Sequence, residues 1–218
     1  MTALDTARLL WLVAGAPGVL WTRPDGRPVT GAVLSDSLRA LLAQLLGQQG
    51  FNVALSTTNF CGLDYPSAGI PQRIADRWVD PGTGTVTVEG IPYGRDVRPC
   101  NAAAEVTFAH KTGLTYNYGS DAGIVRSLPG VPSRRYVVAL LSNLGYRYGD
   151  QRFATSPALP CFGVGVCYTE KIAQLGRRID DLLRGRRLLV QDVRARLGGQ
   201  IARRTGEARR RAMKRTGG

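Results

Sequence analysis

Only three lysines occur in the 218 residues, Lys111, Lys171 and Lys214, and Lys111 alone stands in a setting that offers chemistry. Thr112 and Gly113 follow it directly. An ammonium beside a hydroxyl at the end of an extended segment can seat an anion such as a carboxylate, and the glycine lets a ligand approach the backbone. The tripeptide alone is a weak signal, because a solvent-facing lysine next to a turn glycine explains it as readily. His110 is the only histidine and alternates to the strand face opposite Lys111, so it reads as a half-buried strand residue rather than a general base. A nucleophile is harder to find. Three residues before the lysines stand Phe108, Tyr168 and Arg211, so no S-x-x-K occurs, and Ser56, Ser120 and Ser142 have no G-x-S-x-G setting. With one histidine and no C-x-x-C pair the ligands for a metal are lacking, and no cofactor is implied. Cys61 and Cys100 bracket a long irregular stretch, while Cys161 and Cys167 enclose a Gly-rich loop. Two disulfides in an oxidising compartment are favoured over four buried thiols.

The elements that must position these residues can be read from periodicity. Thr2 and Asp5 have capping-box spacing before Ala7, Leu9, Leu10 and Val13, predicting a helix that ends by Gly15 to Pro17. Ser35 or Ser37 caps a second helix, whose Leu38, Leu41, Leu42, Leu45 and Leu46 form what reads as one buried face. Residues 56–104 are rich in Gly, Pro, Asp and Asn. They hold a short strand pair, Thr85 to Val88 and Ile91 to Tyr93, with Trp78 and the flanking cysteines as candidates to hold the stretch down. Three extended segments follow: Glu105 to Lys111, Leu114 to Val125 with a bend at Gly119, and Arg135 to Ser142. Their short connections predict an antiparallel meander. Thr169 is positioned to cap a last helix whose Ile172, Leu175, Ile179 and Leu182 make a stripe to pack on that sheet.

The order strand with Lys111-Thr112-Gly113, hairpin, strand with Tyr118-Gly119-Ser120, apolar strand and amphipathic helix resembles the C-terminal part of the serine β-lactamase and penicillin-binding protein superfamily, most like class A. The resemblance covers about residues 1–184 and is strongest from Ala104 to Asn143. It implies an α+β fold of the β-lactamase/transpeptidase type, an antiparallel sheet with packed helices, truncated at its N-terminal side. The expected organisation is a helical segment over 1–50, an irregular insertion-like segment over 51–104, sheet and terminal helix over 105–184, and a basic tail over 185–218. The family hydrolyses β-lactams or related amides through an acyl-enzyme. By resemblance Lys111 and Thr112 hold the ligand carboxylate, Gly113 gives backbone access, and the Leu114 N–H is an oxyanion donor. The departures are as specific as the match: S-x-x-K and S-D-N are absent, Ser35-Asp36-Ser37 falls too late in the chain order, and Ala122 stands where many class A enzymes have arginine. The expectation is a chain that is inactive alone. The alternative is a remnant or binding protein acting through its tail.

Hydrophobic residues make up 44% of the chain, enough for one ordinary core. The longest apolar run, Leu9 to Trp21, is broken by Gly15, Pro17 and Gly18 and falls short of the roughly 20 residues a membrane span needs. The resembled family is typically exported, yet Asp5 and Arg8 precede this run where a signal peptide carries a basic region. The net charge of +13 sits mainly at one end, with 14 Lys and Arg against 4 Asp and Glu from Arg177 onward. Such a tail is either a solvated extension or a contact for polyanions. With no aromatic residue after Tyr168, any nucleic-acid binding through it rests on charge rather than stacking.

Overall fold

The computed structural model describes residues 1–15, 17–48, 54–62, 68–88, 91–92, 95–115, 118–144 and 171–185. Cys161 and Cys167, the Thr169 cap and the arginine-rich 186–218 lie outside the described residues. Nearly all that is described belongs to the first of two units, Met1–Asp180, the second being Asp181–Gly218.

Helix α1 (Ala3–Val13) begins where the capping box places it: the Asp5 N–H donates to Thr2 Oγ1, and the Asp5 carboxylate accepts from the Thr2 N–H. A small hairpin, β1 (Val19–Thr22) with β2 (Pro28–Thr30), leads to α2 (Asp36–Leu46), where Ser35 Oγ accepts from the Leu38 N–H. Strands β3 (Thr87–Val88) and β4 (Ile91–Pro92) and helix α3 (Arg98–Ala102) follow. The main sheet is β5 (Val106–Leu114), β6 (Gly119–Ser127) and β7 (Arg135–Ser142), an antiparallel meander in the order β5-β6-β7. Helical backbone over 171–185 forms α4. The architecture is α+β with antiparallel sheets.

Alternation along the strands sends side chains to two sheet faces, and each face has its own cover. On one, Leu10 of α1 and Ala14, the residue that caps it, pack with Ile124, joined by Val13, Leu46, Ala122 and Val137. The opposite face carries the buried Phe108, His110, Asp121, Val125 and Tyr136. Helix α4 is tied to that face by a buried ion pair. Arg134 donates from Nε and Nη2 to the two carboxylate oxygens of Asp180 at 2.7 and 2.8 Å and from Nη2 to Glu105 at 2.7 Å, and the Tyr136 hydroxyl donates to Asp180. Desolvation pulls the Arg134 pKa down, but the bonds to Asp180 and Glu105 outweigh it and hold the guanidinium above its ordinary value, so it stays charged.

Three expectations need correction. The leucine face of α2 is not buried: Leu38, Leu41 and Leu45 are 41%, 50% and 50% exposed, and Leu46 is the one that joins the α1 cluster. Periodicity identifies an apolar face but not what covers it. The stripe of α4 is also displaced. Leu175 and Leu182 are exposed, and the buried positions are Ile172, Ala173, Gly176 and Asp180. Asp180 is drawn inward by Arg134, and Gly176 passes so close to Leu55 that an added Cβ would stand 2.4 Å from the Leu55 carbonyl oxygen. Lastly, β5 runs through the K-T-G to Leu114, and Gly119 begins β6 rather than bending it.

The irregular stretch builds a small core of its own. Cys61, Ile74, Val86 and Val97 cluster beneath Trp78, Val79 and Cys100, and Cys61 is joined to Cys100 by a disulfide with Cα atoms 6.1 Å apart. Asn101 replaces missing strand partners, donating to the Ile74 carbonyl and accepting from the Ile74 N–H.

Candidate functional site

Strand β5 lies at an edge of the main sheet, and its backbone register decides which groups face outward. At its start Val106 donates to the Pro71 carbonyl and accepts from the Arg73 N–H, while the Phe108 carbonyl accepts from Gln72 Nε2. At its end the Thr115 N–H donates inward to the Tyr118 carbonyl across the hairpin. In an antiparallel ladder the hydrogen-bonding direction alternates residue by residue. The N–H and C=O groups of His110, Thr112 and Leu114 therefore point to the outer edge, and those of Lys111 and Gly113 point to β6.

The side chains alternate as well. Lys111 stands opposite Ala122 on the face that α1 covers, and Thr112 stands opposite Asp121 on the other face. The two are thus not side by side above one surface. What meets is the Lys111 ammonium and the strand edge: Nζ donates to the outward Thr112 carbonyl at 2.5 Å, and the side chain is exposed. Among the described residues no carboxylate pairs with this ammonium. Gly113 has a local reason to lack a side chain, since a Cβ there would fall 2.7 Å from Ser120 Oγ, which donates to the Gly113 carbonyl. The edge over Lys111 to Leu114 thus offers an exposed cation and outward N–H groups, an arrangement suited to an anion.

His110 is fully buried, not half-buried, and it has a partner that sequence reading missed. Its Nδ1 lies 2.6 Å from Asp121 Oδ1, while Asp121 Oδ2 accepts from the Leu55 N–H at 3.0 Å. A carboxylate oxygen accepting this bond places a proton on Nδ1, and Nε2 has no hydrogen-bond partner among the described residues. Phe108 stacks on the ring at 3.8 Å, and Gly123 lies beneath it. With both members at zero exposure, the pair cannot reach a substrate; it ties β5 and β6 to the backbone at Leu55. The missed signal was register: Asp121 sits two residues from Gly123, the partner of His110.

None of the three serines is set beside a base. Ser120 and Ser142 donate to the Gly113 and Gly119 carbonyls, and Ser56 is buried without a partner. Among the described residues there is no cluster of three metal-ligating side chains, and no helix is long and apolar enough to cross a membrane. Comparison with family models, curated proteins and solved structures gives no significant match.

Proposed function

We propose that the chain carries the carboxylate-anchoring edge of a β-lactamase-like serine hydrolase site, and that these 218 residues do not themselves hydrolyse a β-lactam. The observation that carries this reading is the placement of Lys111-Thr112-Gly113 on an edge strand, with an exposed ammonium at an outward backbone edge. A β-lactam or related carboxylate ligand lies along that edge, its carboxylate met by the Lys111 ammonium and the outward Thr112 N–H and a carbonyl oxygen by the Leu114 N–H. Acylation needs an activated serine; the sequence holds no S-x-x-K, and none of Ser56, Ser120 and Ser142 stands beside a base.

Calorimetric titration with benzylpenicillin tests the anchoring. Weak reversible binding is expected, and Lys111→Ala should weaken it about 10-fold, as for loss of one hydrogen bond to a charged group. Intact-mass spectrometry after the same incubation should show no adduct. Binding indifferent to Lys111→Ala refutes the anchoring, and a stoichiometric mass increase on a serine refutes the inactivity.

A further inference from the structure

A cavity of about 300 Å³, whose described lining does not include Lys111 to Leu114, lies among Ser56, Phe60, Ile70, Pro71, the Cys61–Cys100 pair and Arg177. At roughly 30 Å³ per water it has room for about ten waters, the lower end of the range for small-molecule sites. Its body is apolar, with Phe60, Ile70 and Pro71 on the wall.

Thr57, Thr58 and Gln72 add polar groups to that wall, and two further features bear on what it can hold. The first is Ser56, whose side chain is at zero exposure and whose Oγ has no hydrogen-bond partner. An unmatched buried hydroxyl is costly, and Ser56 is not placed to escape by relaxing. Leu55 next to it donates to Asp121 and accepts from the Ile70 N–H at 2.7 Å, and the Ser56 carbonyl accepts from the Ala54 N–H. Gly69 and Gly176 close on the Leu55 carbonyl so tightly that a Cβ at either would stand 2.4 Å from its oxygen. The hydroxyl is held in place by a backbone clamped between two glycines. The second feature is charge: among the described residues that line the cavity, Arg177 is the charged one.

We infer that this cavity is a ligand site separate from the strand edge, taking a small monocarboxylate with a compact apolar body. The carboxylate is met by the Arg177 guanidinium and by the Ser56 hydroxyl as donor, and the apolar body lies against Phe60 and Ile70. Arg177 supplies the planar donor pair that suits a carboxylate, and Ser56 gains the partner it otherwise lacks.

The probe is 4-fluorobenzoate, followed by ¹⁹F NMR on the intact chain, with 4-fluorobenzyl alcohol as its neutral counterpart and amide shifts to locate both. The acid should bind at millimolar concentration or better, about 10-fold or more tightly than the alcohol, and shift amides in Gly69 to Gln72. Arg177→Gln should remove most of that advantage, and Ser56→Ala should weaken binding several-fold. No binding at about 10 mM, or equal binding of acid and alcohol to the unaltered protein, overturns the inference whether or not the variants fold. Shifts confined to Thr112 to Leu114 and lost in Lys111→Ala overturn it too, while leaving the strand-edge reading standing.

Discussion

Replacing Arg134 with methionine should destabilise the protein by several kcal/mol, about 3–5. The arginine side chain is 1% exposed and the Asp180 side chain 0%, so the pair is shielded from water and from salt. Methionine keeps most of the volume but strips Asp180 of two charge-assisted bonds, leaving it the Tyr136 hydroxyl, and strips Glu105 of the bond from Nη2. Breaking a buried pair from one side costs about 3–5 kcal/mol, because the remaining charge is neither solvated nor compensated. At roughly 2–4 °C per kcal/mol for a domain of this size, the melting temperature should fall by about 10 °C. Urea denaturation monitored by tryptophan fluorescence gives the free energy, and the companion variants give its origin. Asp180→Leu alone should cost a comparable amount. Arg134→Met with Asp180→Leu should recover most of the loss, since well-packed apolar pairs often match a buried ion pair. Single exchanges costing under about 1 kcal/mol, or a double variant as unstable as the sum of the singles, would refute the assignment of this pair as the tie between α4 and the sheet.

Gly123→Ala should cost at least about 1–3 kcal/mol in the same urea assay, because a Cβ there would stand 2.3 Å from His110 Cβ and 2.4 Å from the Ala109 carbonyl oxygen. Removing the Cys61–Cys100 disulfide, whose partners are 39 residues apart, should cost about 4 kcal/mol by loop entropy, read as a lower denaturation midpoint under reducing conditions. The Asp5 carboxyl titrates below its ordinary value, held first by the Thr2 N–H and then by the Thr2 hydroxyl. A depressed folded pKa means that its stabilisation of α1 is complete above about pH 4, the unfolded value, and is lost as pH falls through the folded one. Amide exchange in α1 should therefore accelerate in acid, and Asp5→Asn should abolish that dependence. Heparin binding, where detected, should map to Arg184–Arg215 and weaken steeply between roughly 50 and 200 mM salt; binding that survives deletion of the tail contradicts that placement.

What could be read from sequence followed the range of the interactions involved. The capping box at Thr2 and Asp5, the Ser35 cap and the three-strand meander are set by residues a few positions apart, and they stand where the spacing places them. The disulfide between Cys61 and Cys100 was legible because its cysteines flank one irregular stretch. Burial was less legible. A leucine stripe looks the same whether a neighbour covers it, as at Leu46, or solvent does, as at Leu41. The Arg134–Asp180 pair joins residues 46 positions apart, and charged residues in sequence are read as surface by default. At the candidate site the K-T-G was visible as letters. That its ammonium turns back to the Thr112 carbonyl while the Thr112 side chain faces Asp121 depends on strand register, which no tripeptide encodes.

The central claim is that a carboxylate ligand lies along the outer edge of β5 and is held there by Lys111. Its most direct test is a titration of the ¹⁵N-labelled chain with benzylpenicillin and, separately, with its methyl ester, following backbone amides. Saturable shifts centred on Thr112 and Leu114, reversed on dilution and largely absent with the ester, are the predicted result. Shifts that are equal for acid and ester, or that leave Thr112 to Leu114 untouched, would contradict it.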